Sequence, residues 1–215
     1  MTSTEEVALV RGAAALGVSL EAASIARIGR FIDLLDLWNR RTHLTGDRDR
    51  GTLVRKHAVD SLAVLPELPT AGIVIDVGSG AGFPGVIVGC ARPDLTLRLI
   101  ESRRRPASFL SDAIRTVPLP EARVLEMRAE DAAGDESVGG GAHVVLSRAV
   151  RLDVFLTLAA PLVRPGGLVV AMQTPATGVD AARKAGSVHR LDVSRVRDYQ
   201  LPDGERRRLI VFSSH

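Results

Sequence analysis

This 215-residue sequence has only one cysteine, Cys90, and aromatic residues make up just 3% of it. A lone cysteine cannot form an intrachain disulfide or supply a cysteine-based zinc site. No stretch approaches the roughly 18 apolar residues that a membrane-spanning helix needs. Glu5 and Glu6 stand where a secretory signal would carry positive charge. We therefore expect a cytoplasmic protein with no membrane association and no bound metal.

Lysine is also scarce, since Lys56 and Lys184 are the only lysines among 28 basic residues. Arginine guanidinium groups match phosphate oxygens in a bidentate way, so this bias is compatible with a phosphate-bearing partner. This indication is weak, and a coding bias is the favoured explanation. The formal net charge is +3, and the clearest clusters are the two arginine runs at 103–105 and 206–208. Each run indicates either an RNA-facing surface or an ordinary solvated one.

The chain changes character near residue 70. Residues 4–65 place apolar side chains at helical spacing, whereas short apolar segments alternate with helical stretches from Ile73 onward. The predicted strands are 73–77, 95–100, 122–127, 143–147, 167–172 and a final pair near 188–193 and 207–212. Apolar strands separated by helices are typical of a parallel sheet covered on both faces. We predict a helical segment over 1–70 and a doubly wound, mostly parallel α/β domain over 71–215, in a monomer.

A glycine-rich stretch, VIDVGSGAGFPG at residues 74–85, begins within the first predicted strand. In open α/β sheets, ligands bind beyond the carboxyl ends of the strands, where bare backbone lets them approach closely. Residues 80–85 match the dinucleotide pattern G-x-G-x-x-G, and Glu101 follows about 20 residues later. A nicotinamide cofactor is one interpretation. A tight strand-to-helix turn that binds nothing is another.

The residues ahead of that pattern favour a different ligand. Asp76 and Gly78 precede Gly80, which produces the D-x-G-x-G-x-G order seen in S-adenosylmethionine-dependent methyltransferases. This donor has a cationic ammonium and no pyrophosphate. Asp76 would act on the ammonium directly or through water, while Glu101, at the end of the second strand, would accept bidentate hydrogen bonds from the ribose hydroxyls. We therefore favour the methyl donor over the dinucleotide.

Two further strand ends carry candidate residues. Ala129 and Glu130 follow the third strand, where this architecture places the adenine. A solvated helix N-terminus, favoured by the helix dipole, is the alternative explanation for Glu130. The fourth strand ends at Arg148, and an arginine is rarely part of a core. Arg148 is therefore a site candidate, near the position of the transferred methyl group.

Several short motifs occur in order along the chain and together resemble one known family. They are Trp38-Asn39, His43-Leu44-Thr45, Lys56-His57 with Asp60-Ser61-Leu62, DVGSGAGFPG, Leu99 to Ser102, Arg128 to Glu130, Ser147 to Ala149 and the segment from Glu205. The combination resembles the bacterial 16S ribosomal RNA guanine-N7 methyltransferase G family, also called glucose-inhibited division protein B. The resemblance covers roughly residues 30–213. Its more specific motifs are the glycine stretch ending in Phe-Pro-Gly and the upstream His-x-x-Asp-Ser.

The resemblance implies a Rossmann-like class I methyltransferase fold, S-adenosylmethionine as donor, and guanine N7 in small-subunit rRNA as acceptor. Carried over by position, the implied donor contacts are Gly78, Phe83, Ala129, Glu130 and Arg148. His57 and Asp60, with Lys56 and Ser61, match a motif that faces the same cleft. Their alternative role is a polar helix face that anchors the N-terminal segment. Our catalytic candidates are Arg148, His57 and Asp60.

The implied chemistry needs few residues. Guanine N7 has an in-plane lone pair, so no general base is required, and Arg148 is suited to hydrogen-bond guanine O6 or to hold a phosphate. Ser79 does not lie in a G-x-S-x-G elbow, which argues against a serine hydrolase. Pro106 and Gln173 stand where the family commonly has basic residues. A divergent methyltransferase with another RNA or a small-molecule acceptor, or a nucleotide-binding module without turnover, therefore stays open.

Overall fold

In the computed structural model, which describes residues 1–135, 138 and 141–215, seven strands form one sheet in the order β3-β2-β1-β4-β5-β7-β6. The strands are β1 (Ile73–Val77), β2 (Thr96–Ile100), β3 (Ala122–Leu125), β4 (Ala142–Arg148), β5 (Val163–Gln173), β6 (Leu191–Gln200) and β7 (Arg206–Ser214). β1 to β5 pair in parallel, and β7 lies antiparallel to both β5 and β6. The predicted doubly wound, mostly parallel sheet is confirmed.

Helices cover both faces of this sheet. Before β1 lie α1 (Ser3–Ala15), α2 (Ala22–Thr42), α3 (Arg50–Thr52), a π-helical segment (Leu53–Ala58), α4 (Val59–Leu62) and a 3₁₀ turn (Leu65–Glu67). After it come α5 (Gly85–Ala91), α6 (Arg104–Thr116), α7 (Ala129–Ala132), α8 (Leu152–Ala159) and α9 (Val179–Ser187). None of these helices, within the part of the chain described, is long and apolar enough to cross a membrane.

Successive side chains of β1 belong to two different apolar clusters, one on each face of the sheet. Val74 belongs to the cluster that includes residues of α1, α2, α4, α5 and α6. Ile75 and Val77 belong to the cluster that includes residues of α7, α8 and α9. Because successive side chains of a strand point to opposite faces, Asp76 lies on the α5 side with Val74. This parity places the Asp76 carboxylate beneath the glycine-rich turn.

Aromatic contacts join the N-terminal helices to the sheet domain. The ring of Phe31 in α2 lies 5.4 Å from that of Phe83 and 6.1 Å from that of Phe109, measured between centroids. Trp38 packs edge-on against Phe109 and donates its Nε1–H to Asp112 at 2.9 Å. One apolar cluster therefore runs across residue 70. The division of the chain at that residue stays a prediction.

The sheet differs from the sequence-based prediction at its β6 edge. β6 extends to Gln200, well beyond the predicted 188–193, and α9 was not predicted. Among the described residues, β6 pairs only with β7, and it leaves most of its side chains exposed or half-buried. An edge strand of this kind has no continuous apolar run, so hydrophobic periodicity indicated only its first residues.

Candidate active site at the carboxyl ends of the strands

β1 leads into a turn that we call the glycine loop, residues 78–85. Gly78, Gly80 and Gly82 have φ angles of 73°, 51° and 87°, in the left-handed region that glycine adopts without strain. The N–H groups of Gly78 and Ser79 donate to the Ile100 carbonyl at 2.9 and 3.0 Å. The glycine loop is therefore fastened to the end of β2 and leaves bare backbone at the strand ends.

Asp76 lies under the glycine loop and is fully buried. Its Oδ2 accepts the N–H of Gly85 at 3.0 Å, while its Oδ1 has no hydrogen-bond partner among the described residues. A Cβ on Gly85 would lie 2.5 Å from Asp76 Oδ2, so only glycine fits this contact. Asp76 holds the start of α5 in this arrangement. Its contact with the ammonium of a methyl donor stays a prediction.

Burial raises the pKa of Asp76 to about 7, against the lowering effect of the Gly85 hydrogen bond. The folded state thus retains a proton that the unfolded chain releases above its ordinary pKa of about 3.9. Asp76→Asn keeps the shape and removes this titration. The free energy of unfolding of the wild type, relative to that variant, should fall as the pH rises from about 4 to about 7. The slope should reach up to about 1.4 kcal/mol per pH unit, and the difference should become constant above about pH 7. Denaturant titrations from pH 5 to 8 measure this difference, and a difference independent of pH would contradict it.

Glu101 stands at the end of β2 with its side chain buried. Its Oε2 accepts the N–H of Gly80 at 3.0 Å, and its Oε1 accepts the backbone N–H and the Nε–H of Arg103 at 2.9 and 3.1 Å. The same carboxylate borders a cavity of about 150 Å³, which we call the glycine-loop cavity. Glu101 is therefore both a support of the glycine loop and an acceptor at the cavity wall.

The third-strand turn completes the glycine-loop cavity. Gly78, Ala129 and Glu130 line it together with Glu101. Their contacts with a methyl donor stay a prediction. Glu130 is exposed, and its side chain has no hydrogen bond to the described residues. Gly80 contributes through the Glu101 hydrogen bond and is not part of the cavity wall. The structure thus brings the four lining residues together from three separate strand ends.

A second concavity of about 430 Å³, the β4 cleft, opens beside this cavity. Its lining residues are Lys56, His57, Asp60, Arg148 to Arg151, Met172 to Thr174 and Arg207. Val150 lines both spaces, so they are neighbours. All three catalytic candidates lie in this cleft. Gln173 also lies in its wall and donates to the Val150 carbonyl at 3.1 Å.

Two residues from the N-terminal helices hold Arg148. Its Nη1 donates to Asp60 Oδ2 at 3.3 Å, and its Nη2 lies 2.7 Å from Nδ1 of His57. The guanidinium carbon lies 5.2 Å from the centroid of the Phe83 ring, on which His57 also stacks. Phe83 of the glycine loop thereby supports the guanidinium and the imidazole. Arg148 is fixed from three directions.

The protonation state of His57 follows from its partners. Nε2 of His57 lies 2.7 Å from Oδ2 of Asp47. Arginine has only N–H donors, so Nδ1 accepts from Arg148 and Nε2 carries the proton that is donated to Asp47. Burial, followed by the positive charge of Arg148, lowers the pKa of His57. His57 is therefore a neutral imidazole at pH 7 that links Asp47 to Arg148.

Asp60 is the second partner of Arg148 and is 2% exposed. Its Oδ1 accepts the Tyr199 hydroxyl at 2.7 Å, and its Oδ2 lies 3.7 Å from Nε of Arg207. Burial, together with the nearby Asp60 carboxylate, raises the pKa of Tyr199, so the hydroxyl stays a donor. A buried carboxylate requires such partners, because an unpaired buried charge is strongly destabilising.

The two neighbours of His57 should move its pKa in opposite directions. Arg148→Gln removes a nearby positive charge and should raise the His57 pKa. Asp47→Ala removes the acceptor and the negative charge that favour the imidazolium, and should lower it. An NMR pH titration, with the His57 signal assigned from a His57→Gln variant, measures both shifts. Shifts of the same sign would contradict the arrangement described for Asp47, His57 and Arg148.

Three residues of this network were not predicted as site residues. Asp47 was missed, although it follows the quoted motif at 43–45 by only two residues. Tyr199 was not among the site candidates, and Arg207 was noted only as part of an arginine run. Tyr199 and Arg207 lie 139 and 147 positions from Asp60, so no spacing links them to it. Asp47 lies ten positions from His57 but in a different local element, and no motif indicates that contact.

The strand order, the glycine loop after β1 and the acid at the end of β2 define a class I methyltransferase. Residues 24–210 match the family described as rRNA small subunit methyltransferase G. The chain belongs to this family. That membership confirms the predicted family, the methyltransferase activity and S-adenosylmethionine as the methyl donor.

Individual relatives agree with the family match. The ribosomal RNA small subunit methyltransferase G of Chloroflexus aggregans is 35% identical, with 99% of this chain and 91% of that protein covered. The proteins of the same name from Symbiobacterium thermophilum and Myxococcus xanthus are each 36% identical. Each match covers 95% of this chain. It covers 87% of the Symbiobacterium protein and 95% of the Myxococcus protein.

Solved structures with low sequence identity share the fold. Geranyl diphosphate C-methyltransferase from Streptomyces coelicolor A3(2) superposes with a TM-score of 0.59 at 14% identity, covering 81% of this chain and 84% of that one. Precorrin-6y C5,15-methyltransferase from Geobacter metallireducens gives a TM-score of 0.56 at 12% identity, covering 72% and 87%. At these identities the likeness concerns the fold alone.

Proposed function

We propose that the protein transfers a methyl group from S-adenosylmethionine to N7 of a guanine in small-subunit rRNA, and that the β4 cleft receives this guanine. The observation that supports this most strongly is the position of Arg148. Its guanidinium is held by Asp60 and His57 over Phe83, in a cleft that shares Val150 with the glycine-loop cavity. A base bound there would lie beside the donor.

The residues of the glycine-loop cavity suit this donor. Gly78 presents bare backbone, since even a Cβ there would meet nothing closer than a Val150 methyl at 3.5 Å. The Glu101 carboxylate offers acceptors for the ribose hydroxyls, and Ala129 and Glu130 border the part of the cavity assigned to adenine. When bound, the donor supplies an electrophilic methyl group on a sulfonium. The residues of the cavity bind and orient it.

The acceptor side requires positioning more than proton transfer. The N7 lone pair of guanine lies in the ring plane and is available at pH 7, so no residue has to remove a proton. Arg148 is suited to donate a hydrogen bond to guanine O6, which would hold N7 towards the donor. The neutral His57 and the buried Asp60 keep the guanidinium in place. Orientation of this kind accounts for a large share of many enzymatic rate enhancements.

A comparison of modified nucleotides tests the proposal. Small-subunit rRNA from cells with and without the gene should differ by one N7-methylguanine. The purified protein with labelled S-adenosylmethionine should restore that modification on rRNA or small subunits from the deletion strain. Wild-type and deletion strains with identical N7-methylguanine maps would refute the acceptor assignment.

We further propose that the protein acts as a monomer in the bacterial cytoplasm. Residues 1–70 would then be an integral part of the site rather than an appendage. This segment supplies His57 and Asp60 to Arg148 and packs through Phe31 against Phe83. The segment and the sheet domain would therefore act as one unit.

A further inference from the structure

The two arginine runs of the sequence have different surroundings in the fold. In the run 206–208, Arg208 forms two contacts with the Asp198 carboxylate at 2.6 and 2.7 Å and donates to the Thr177 carbonyl at 2.9 Å. Arg207 bonds to Glu205 and lies near Asp60. Two of the three arginines in this run are thus paired with carboxylates of the protein itself, and these pairs stabilise β7 and one wall of the β4 cleft.

In the run 103–105, Arg103 is paired with Glu101, but the other two arginines have different surroundings. Arg104 and Arg105 are exposed, and neither has a hydrogen bond or an ion pair with any part of the chain that the structure describes. They line a groove of about 350 Å³, which we call the α6 groove, formed by Thr42–Leu44 and Arg103–Pro106. Among these lining residues there is no acid. The groove therefore presents unneutralised guanidinium groups to solvent.

The α6 groove begins next to the glycine loop. Arg103 bonds through its backbone N–H and its Nε to Glu101, and Glu101 bonds to Gly80. A Cβ on Gly80 would lie 3.9 Å from Nη2 of Arg103. β2 and β4 flank β1 on opposite sides, so the α6 groove and the β4 cleft flank the glycine loop. A nucleic-acid strand with its target base in the cleft would extend past this loop.

We propose that the α6 groove binds the phosphate backbone of the RNA on one side of the target nucleotide, with Arg104 and Arg105 as the contacts. The inference rests on the proposed function, because it takes RNA as the substrate. Phosphate contacts position a nucleic acid without reading its sequence, and they are made chiefly by arginine and lysine. Two adjacent guanidinium groups without a protein carboxylate match such an anionic chain. If the groove instead bound an acidic protein surface, the groove variant in the test below would keep the wild-type affinity for RNA.

The test compares two double variants that remove the same charge. Arg104→Gln/Arg105→Gln alters the α6 groove. Arg164→Gln/Arg190→Gln alters two exposed arginines near the amino ends of β5 and β6, whose side chains also lack partners among the described residues. Each protein is titrated with small-subunit rRNA from the deletion strain over 50 to 200 mM salt. Calorimetry with S-adenosylhomocysteine checks that both variants keep the folded donor site.

The groove variant should bind the RNA about tenfold more weakly at low salt. Its slope of log affinity against log salt should shrink by about 1.4, which corresponds to two lost contacts on a single strand. The control pair should keep the wild-type affinity and slope.

Equal losses in both variants, or none in either, would overturn the assignment of the groove. RNA binding by the groove variant at wild-type strength, together with wild-type methylation, would overturn the groove while leaving the proposed function intact. A wild-type protein that neither binds nor methylates the RNA would overturn both.

Discussion

Replacing Arg148 with lysine should lower the rate of methyl transfer about a hundredfold. Donor binding should be unchanged, because Arg148 lines the β4 cleft and not the glycine-loop cavity, although the family resemblance implied a donor contact. The planar guanidinium reaches Asp60 with one nitrogen and His57 with another. A lysine ammonium is a single point on a flexible chain and cannot bridge both partners in a fixed orientation. Misplacement of a reacting group by about 1 Å is enough to cost a factor of this size. Single-turnover assays on rRNA from the deletion strain measure the effect.

Arg151 provides the matched control for this experiment. It lines the same cleft, but its side chain is 79% exposed and pairs with Asp153. Arg151→Lys should therefore change the rate less than about twofold, because exposed ion pairs contribute little. Calorimetry with S-adenosylhomocysteine should give the wild-type affinity for both variants. An Arg148→Lys enzyme with a rate close to that of Arg151→Lys would show that Arg148 does not position the acceptor.

The second large effect is expected at Glu101. Glu101→Gln should weaken binding of S-adenosylhomocysteine about a hundredfold, or ~3 kcal/mol, as expected for loss of charge-assisted hydrogen bonds. Both carboxylate oxygens already accept N–H groups, from Gly80 and from Arg103. An amide nitrogen in either position would face a donor and loosen the glycine loop. Calorimetry measures the binding, and thermal unfolding confirms that the variant is folded.

Two other glutamates act as controls for Glu101. Glu130 lines the same cavity but is exposed and has no hydrogen-bond partner in the described structure, so Glu130→Gln should weaken binding only a few-fold. Glu126 is exposed outside the cavity, and Glu126→Gln should have no effect. A loss at Glu130 that equals the loss at Glu101 would mean that the ribose and adenine positions have been misassigned.

Much of the fold was predictable because its signals are local. The strand ending at Val77, the glycines after it and the acid at Glu101 are read from spacing and residue type alone. Parallel strands in open α/β sheets place their ligand at one edge, so these residues also predicted where the site would lie. The full extent of β6 and the helix α9 escaped prediction, since a polar edge strand and a short surface helix carry little apolar pattern.

Local patterns were thus sufficient for the class of fold, the position of the glycine loop and the identity of the donor. Packing in three dimensions settled how the individual side chains are used. It turned Asp76 towards Gly85 and linked Asp47 through His57 to Arg148. It also paired Arg207 and Arg208 with carboxylates of the protein, while Arg104 and Arg105 stay exposed. The reason is physical: most of these contacts join residues of separate helices, strands and loops, from 9 to 91 positions apart. They depend on how those elements pack, so residue type and spacing alone do not encode them.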